Sequence, residues 1–226
     1  MSHAIVPAID RRLRTPRSAA IAGIVFAVLF GSSNVLVRIS IPADPAASGA
    51  WLETRQDMLS FALVLLPFAG IAFLWFIGVL RDRLGDLEDR FFATVFFGSG
   101  LLFLAMTFSA AAVAGSLLST YGSQGTAIIE SGLFAFGRGL MFRVANIYAI
   151  KMAAVFMMSL GTIWLRTGTM PRVLTLLTYS MAAVLLVSIS FSLWAMMIFP
   201  GWVLAISIYI LVGNLRMREQ LTPPEA

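Results

Sequence analysis

AIIESGLFAFGRGLMFRVANIYAIKMAAVFMMSLGTIWL, residues 127–165, decides how many times this chain crosses a bilayer. Its apolar residues are interrupted by Glu130, Arg138, Arg143 and Lys151, so hydropathy alone leaves two readings. In the first, 144–165 spans and 127–142 lies at the surface or re-enters, with an interfacial amphipathic helix over 127–136 as the preferred form. In the second, 127–142 and 152–165 both span. They hold only 16 and 14 residues, against the roughly 20 that a 30 Å hydrocarbon core requires.

The rest of the chain frames that choice. Apolar runs long enough to span occur at 19–37, 58–80, 91–118 and 173–199, and a shorter last one at 202–215. Short cytoplasmic loops carry the excess of lysine and arginine. With six helices and the N-terminus inside, eleven basic residues face the cytoplasm: Arg11, Arg12, Arg14, Arg17, Arg81, Arg83, Arg90, Arg166, Arg172, Arg216 and Arg218. Five face outward: Arg38, Arg55, Arg138, Arg143 and Lys151. Seven helices reduce this to nine against six and embed Arg138. The expectation is therefore an all-α polytopic membrane protein with six transmembrane helices and both termini cytoplasmic. A basic tail (1–18) precedes a single helical domain (19–215), and a short tail (216–226) follows it. The first span is retained rather than cleaved, because no small-residue cleavage site precedes Arg38.

Composition agrees and narrows the chemistry. Hydrophobic residues make up 59% of the 226 and charged residues 12%, with a mean hydropathy of +0.90. Soluble domains carry about 45–50% and about 25%. There is no cysteine, so thiolate metal sites, iron–sulfur clusters and cysteine nucleophiles are excluded. The single histidine, His3, lies in the N-terminal tail, which leaves no Ser–His pair and no histidine metal site within the membrane. No catalytic residue, cofactor or metal site is expected. The net charge of +5 flanks apolar spans and does not interleave with aromatic residues, so no nucleic acid is expected as a partner.

Close helix packing in lipid relies on small residues. Two stripes repeat every fourth position: Ala19, Gly23, Ala27 and Gly31 on the first span, and Thr107, Ala111, Gly115 and Ser119 on the third. Each serves packing within the chain or a contact with a membrane-protein partner or second copy. Pro67 should kink the second span, and Pro200-Gly201 reads as the tight turn between the last two. Trp51, Trp75, Tyr121, Trp164 and Trp202 fall near span ends, where aromatic belts form.

Ionisable groups at membrane depth are costly and each needs a reason. Lys151 is the eighth residue of 144–165, about 5 Å from the midplane at 1.5 Å per residue. Asn34, Arg38, Glu130, Arg138, Arg143 and Asn146 belong to the same outer mouth. Together the seven would line a net-basic vestibule. It is either a structural ion-pair network or a site for an anion or lipid headgroup.

One stretch carries a family resemblance. IWLRTGTMPRVLTLLTY, residues 163–179, followed by the FPGW turn and a short last span, resembles the C-terminal part of small six-helix bacterial membrane proteins grouped as a domain of unknown function. The resemblance implies six helices and a bacterial inner membrane, and it implies no activity. Fifteen arginines against one lysine fit a GC-rich bacterial genome. The expected role is an accessory or assembly subunit of a larger membrane complex. The alternative is a small transporter or channel using the vestibule. An enzyme acting on lipid, with Glu130 as acid–base group, is the third and weakest reading.

Overall fold

A segment in lipid must satisfy its backbone internally, so each apolar run should be helical along its whole length. The computed structural model describes residues 9–42, 51–84, 90–187 and 195–221, and these are helical nearly throughout. In chain order the elements are α1 (Ile9–Ser40), α2 (Trp51–Leu84), α3 (Arg90–Gln124), the single turn α4 (Ala127–Glu130) and α5 (Leu133–Arg143). A π-helical turn (Val144–Ala149) joins α5 to α6 (Ile150–Thr167). Then come α7 (Arg172–Val187), a 3-10 turn (Ala195–Met197) and α8 (Ile198–Leu221).

Five helical stretches are long and apolar enough to cross a membrane: Ser18–Ser40, Trp51–Arg81, Phe91–Gln124, Leu133–Thr167 and Ala195–Gly213. The chain is all-helical and of the multi-pass membrane kind. The expected span 173–199 is represented by α7, with 16 residues, and its continuation through 188–194 lies outside the described residues.

Four sequence expectations change. First, no single interfacial helix forms over 127–136. Gly132 adopts φ +75°, which ends α4 after one turn. Leu133 then opens a helix that continues through the π turn to Thr167, 35 residues in all. The reversal between Arg143 and Lys151 that seven spans would need is replaced by helix. Glycine and arginine lower hydropathy there without stopping a helix, which propagates easily once nucleated. Second, Pro200-Gly201 is not a turn between spans. Pro200 is the third residue of α8, where a missing N–H costs nothing because first-turn N–H groups have no intrahelical partner. Third, helix extends into both expected tails, back to Ile9 and on to Leu221. Residues 1–8, 222–226 and half of the charged connection 81–90 (85–89) lie outside the described residues. Fourth, Trp164 and Trp202 are buried core residues, with ring centroids 6.0 Å apart, whereas Trp75 is 70% exposed.

The centre of the bundle is a phenylalanine cluster drawn from five helices. Phe26 meets Phe73 at 4.6 Å, Phe96 meets Phe156 at 4.6 Å, and Phe103 meets Phe199 at 4.7 Å between ring centroids. Phe73 also touches Phe156 at 5.3 Å, joining α2 to α6. Such pairs contribute about 0.5–1.5 kcal/mol each beyond simple burial. That matters where lipid supplies no hydrophobic drive to helix association. Around this cluster α1 packs against α2 and α8, while α3 packs against α2 and the α5–α6 run. α7 folds back on α6. Their hairpin turns at Gly168, φ +64°, which ends α6 in the left-handed conformation that glycine adopts without strain.

Buried polar bonds tie the helices at depth. Ser33 Oγ donates to the Ala62 carbonyl at 2.7 Å, and Trp202 Nε1 donates to Thr178 Oγ1 at 2.9 Å. Thr162 and Tyr179 share a 2.7 Å hydroxyl bond between α6 and α7. At the other end from the α1–α2 junction, Arg166 lies 4.6 Å over the Phe92 ring and Arg81 4.9 Å over Phe97. Those cations rest on aromatic faces.

Candidate functional site

The expected vestibule rests on seven residues, and the fold does not gather them into one chamber. α1, which carries Asn34 and Arg38, packs on α2 and α8, whereas α6, which carries Lys151, packs on α3 and α7. Asn34 Nδ2 donates to the Phe30 carbonyl at 2.7 Å, four residues back on its own helix. Asn146 Nδ2 does the same to Phe142 at 3.1 Å. That residue sits in the π turn, where the i→i−4 ladder is interrupted and a carbonyl is left for a side chain. Glu130 and Arg143 are exposed.

Backbone carbonyls receive Arg138, Lys151 and Arg55. α1 stops at Ser40, as expected where Ile41 precedes Pro42 and the α conformation is disfavoured before proline. Its last carbonyls then need donors. Arg55 Nη1 donates to the Ile39 carbonyl in that last turn, and Arg138 Nη2 donates to the Pro42 carbonyl just beyond it at 2.7 Å. Lys151 Nζ donates to the Leu186 carbonyl at 2.9 Å, in the last described turn of α7. The hydrogen bond to that carbonyl gives the ammonium a polar partner at depth. Among the described residues Lys151 is thus a donor from α6 to the α7 backbone rather than half of an ion pair.

Sequence reasoning did not select Arg55, Trp51 or Ser40, and all three belong to this region. A signal was available for Arg55: a cation a short distance beyond a proline-terminated helix is placed to cap it. Trp51 stacks obliquely near Phe134, centroids 6.2 Å apart, at the edge of a second apolar cluster with Leu52, Leu59, Leu118, Tyr121 and Ile128. Tyr121 Oη lies 3.5 Å from Glu53 Oε1, linking α3 to the start of α2.

The two small-residue stripes end up differently. On α1, Ala19, Gly23, Ala27 and Gly31 are all buried. A Cβ at Gly23 would lie 2.0 Å from Ser207 Oγ and 2.9 Å from Phe76 Cδ2, so this stripe is occupied by α2 and α8. On α3, Thr107 is buried, Ala111 and Gly115 are half-buried, and Ser119 is exposed. A strict four-residue step drifts around a 3.6-residue helix by about 40° each time, which carries the stripe from inside to outside. The surface α3 presents outward is a neighbouring row: Ala105, Ser109, Ala112, Ser116, Ser119 and Ser123, every one exposed. Its spacing alternates four and three, the period of a coiled-coil seam. Ser109, Ser119 and Ser123 fold their hydroxyls onto carbonyls of their own helix at 2.8–3.0 Å, which keeps the row smooth.

No family model, no curated protein and no solved structure matches this chain.

Proposed function

We propose that this chain is an accessory or assembly subunit that docks against a larger membrane protein through the outward row of α3. The observation that carries the reading is that row: six small residues in coiled-coil register on an apolar spanning helix, all exposed. Small residues let two helix backbones approach closely, which is how helices associate in lipid. The row leaves α3 with a face suited to a partner helix, whereas the comparable stripe of α1 is filled within the chain. In this proposal α7 is the sixth span, both termini are cytoplasmic and the membrane is a bacterial inner membrane. The count of eleven basic residues against five supports that orientation. The resemblance of 163–179 to six-helix bacterial membrane proteins supports the same topology. The chain performs no catalysis in this reading.

The transporter or channel alternative has less support. Phenylalanine rings from five helices fill the centre, and Arg55, Arg138 and Lys151 are engaged by backbone carbonyls rather than arrayed along a path.

The test is a native mass of the full chain extracted in mild detergent from its own host's membranes, beside Ala112→Trp. The reading predicts co-migration with a different polypeptide in fixed ratio, lost in Ala112→Trp while the variant stays folded. A chain that runs alone at its own mass from fresh membranes contradicts it.

A further inference from the structure

α3 and the continuous α5–α6 run hold 35 residues each, about 52 Å at 1.5 Å per residue, against a hydrocarbon core of about 30 Å. Even a tilt of about 40°, the upper end for membrane helices, leaves roughly 10 Å in excess. The excess lies at the α4 end, because the other end of both is marked by the Arg166 guanidinium resting on the Phe92 ring. Counted from Phe92 and Arg166, about 20 residues of α3 and of the α6 run fill the core. The last turns of α3 and all of α5 therefore stand beyond it. There α5 still shows three large apolar side chains, Leu133, Phe136 and Leu140, which are 52%, 68% and 40% exposed. Inside lipid such a row would be ordinary. Past the hydrocarbon it points to cover by protein.

The apolar row adjoins the small row of α3. The two helices are antiparallel: Gly137 packs on Leu117, and further along Phe156 meets Phe96. At about 100° per residue, Leu133, Leu140 and Phe136 lie about 40–100° round α5 from Gly137. Ser109 and Ser116 lie about 80–100° round α3 from Leu117, in the same backward sense. In an antiparallel pair equal senses turn to one side, so the two rows flank one groove. Arg138, whose guanidinium reaches the Pro42 carbonyl, lies about 100° the other way, so the Pro42 side of α5 is the opposite flank. Arg143 follows Phe136 and Leu140 on the groove side, at the rim nearest the membrane. It is exposed, and neither a hydrogen bond nor an ion pair engages it among the described residues.

We propose, resting on the docking role of α3, that this groove receives one helix of the partner, which spans the bilayer and continues two to three turns beyond it. That extension lays apolar side chains on Leu133, Phe136 and Leu140 and sets a carboxylate against Arg143. Lipid could cover only the part of the groove inside the core, at Ser109. A soluble peptide could reach only the part outside it. A helix that spans and continues covers both. Seated over the rim, it takes Arg143 out of water, and an opposite charge offsets that loss and fixes the register.

The experiment places a photo-crosslinking residue at Ser109 or at Phe136 of the full chain in intact host membranes and maps each adduct by mass spectrometry. With Gly137 opposite Leu117, Phe136 is level with about residue 118 of α3, about 13 Å along the groove from Ser109, or about nine residues of a helix. Both positions should capture the same polypeptide, with adducts about nine residues apart on one helix and the Phe136 adduct beyond its apolar span. Arg143→Glu should lower the yield from Phe136 about tenfold, and changing the carboxylate mapped opposite it to lysine should restore the yield. Capture from Ser109 with none from Phe136 overturns this extension and leaves the docking role of α3 standing. Capture from neither overturns both. Different polypeptides at the two positions, adducts on separate segments, or a second copy of this chain overturn the single-helix assignment. Unchanged yield in Arg143→Glu overturns the carboxylate.

Discussion

Gly23→Ala tests the packing on which the bundle rests. The new Cβ would sit 2.0 Å from Ser207 Oγ and 2.9 Å from Phe76 Cδ2. The hydroxyl can rotate away. The Phe76 ring cannot, because it is fully buried beside Phe73. α1 must therefore move off α2 and α8, and a gap of about 0.5–1 Å forfeits a quarter to a half of each affected contact. Overpacking of this kind costs about 1–3 kcal/mol. Alanine recovers about 0.5–1 kcal/mol over glycine inside a helix. The net expectation is a loss of about 1–2 kcal/mol, or roughly 2–8 °C in melting temperature for a chain of this size. Gly78→Ala is the matched control, since a Cβ there meets nothing within 4 Å. It should leave stability unchanged or raise it by about 0.5–1 kcal/mol. Thermal unfolding in detergent, followed by size-exclusion fluorescence, reads both. Adding Ser207→Ala to Gly23→Ala should recover the hydroxyl's part of the loss and leave the Phe76 part. If Gly23→Ala melts with Gly78→Ala, α1 does not sit against α2 and α8 as described.

Lys151→Met leaves the Leu186 carbonyl without its charged donor. Amides in the last described turn of α7 should then exchange with deuterium about tenfold faster, the equivalent of about 1.4 kcal/mol, while Lys151→Arg should restore protection. Unchanged exchange in Lys151→Met would show that the lysine does not hold that turn. Trp202→Phe and Thr178→Val should each cost about 1 kcal/mol and couple in a double-mutant cycle by about 0.5–1.5 kcal/mol; strict additivity removes the buried bond between them. The chain has no cysteine of its own, so single cysteines report topology cleanly. Ser123→Cys should react with an impermeant maleimide in intact cells and Thr169→Cys should not, and the reverse pattern inverts the orientation.

Hydropathy made the spanning helices legible because the bilayer imposes both their length and their helical state. It misread 133–143 because Gly137, Arg138, Gly139 and Arg143 lower the average without interrupting hydrogen bonds. It misread Pro200 because a proline looks the same in a turn and in the first turn of a helix. The candidate site was legible as a set of costly residues and illegible as an arrangement. Arg138 and Lys151 donate to backbone carbonyls of distant segments, Pro42 and Leu186, acceptors that a sequence does not display. The outward row of α3 could not be separated from its inward stripe by spacing alone, because Thr107 and Ala105 both belong to plausible rows until the helix is rotated into its neighbours.

The central claim is that the outward row of α3 faces another protein in the native membrane. A photo-crosslinking residue placed at Ser116, and another at Val28, an exposed apolar position on α1, asks this directly in intact host membranes. The account predicts that Ser116 captures one different polypeptide in fixed proportion and that Val28 captures lipid. Lipid adducts from both positions, or capture of only a second copy of this chain from Ser116, contradict it.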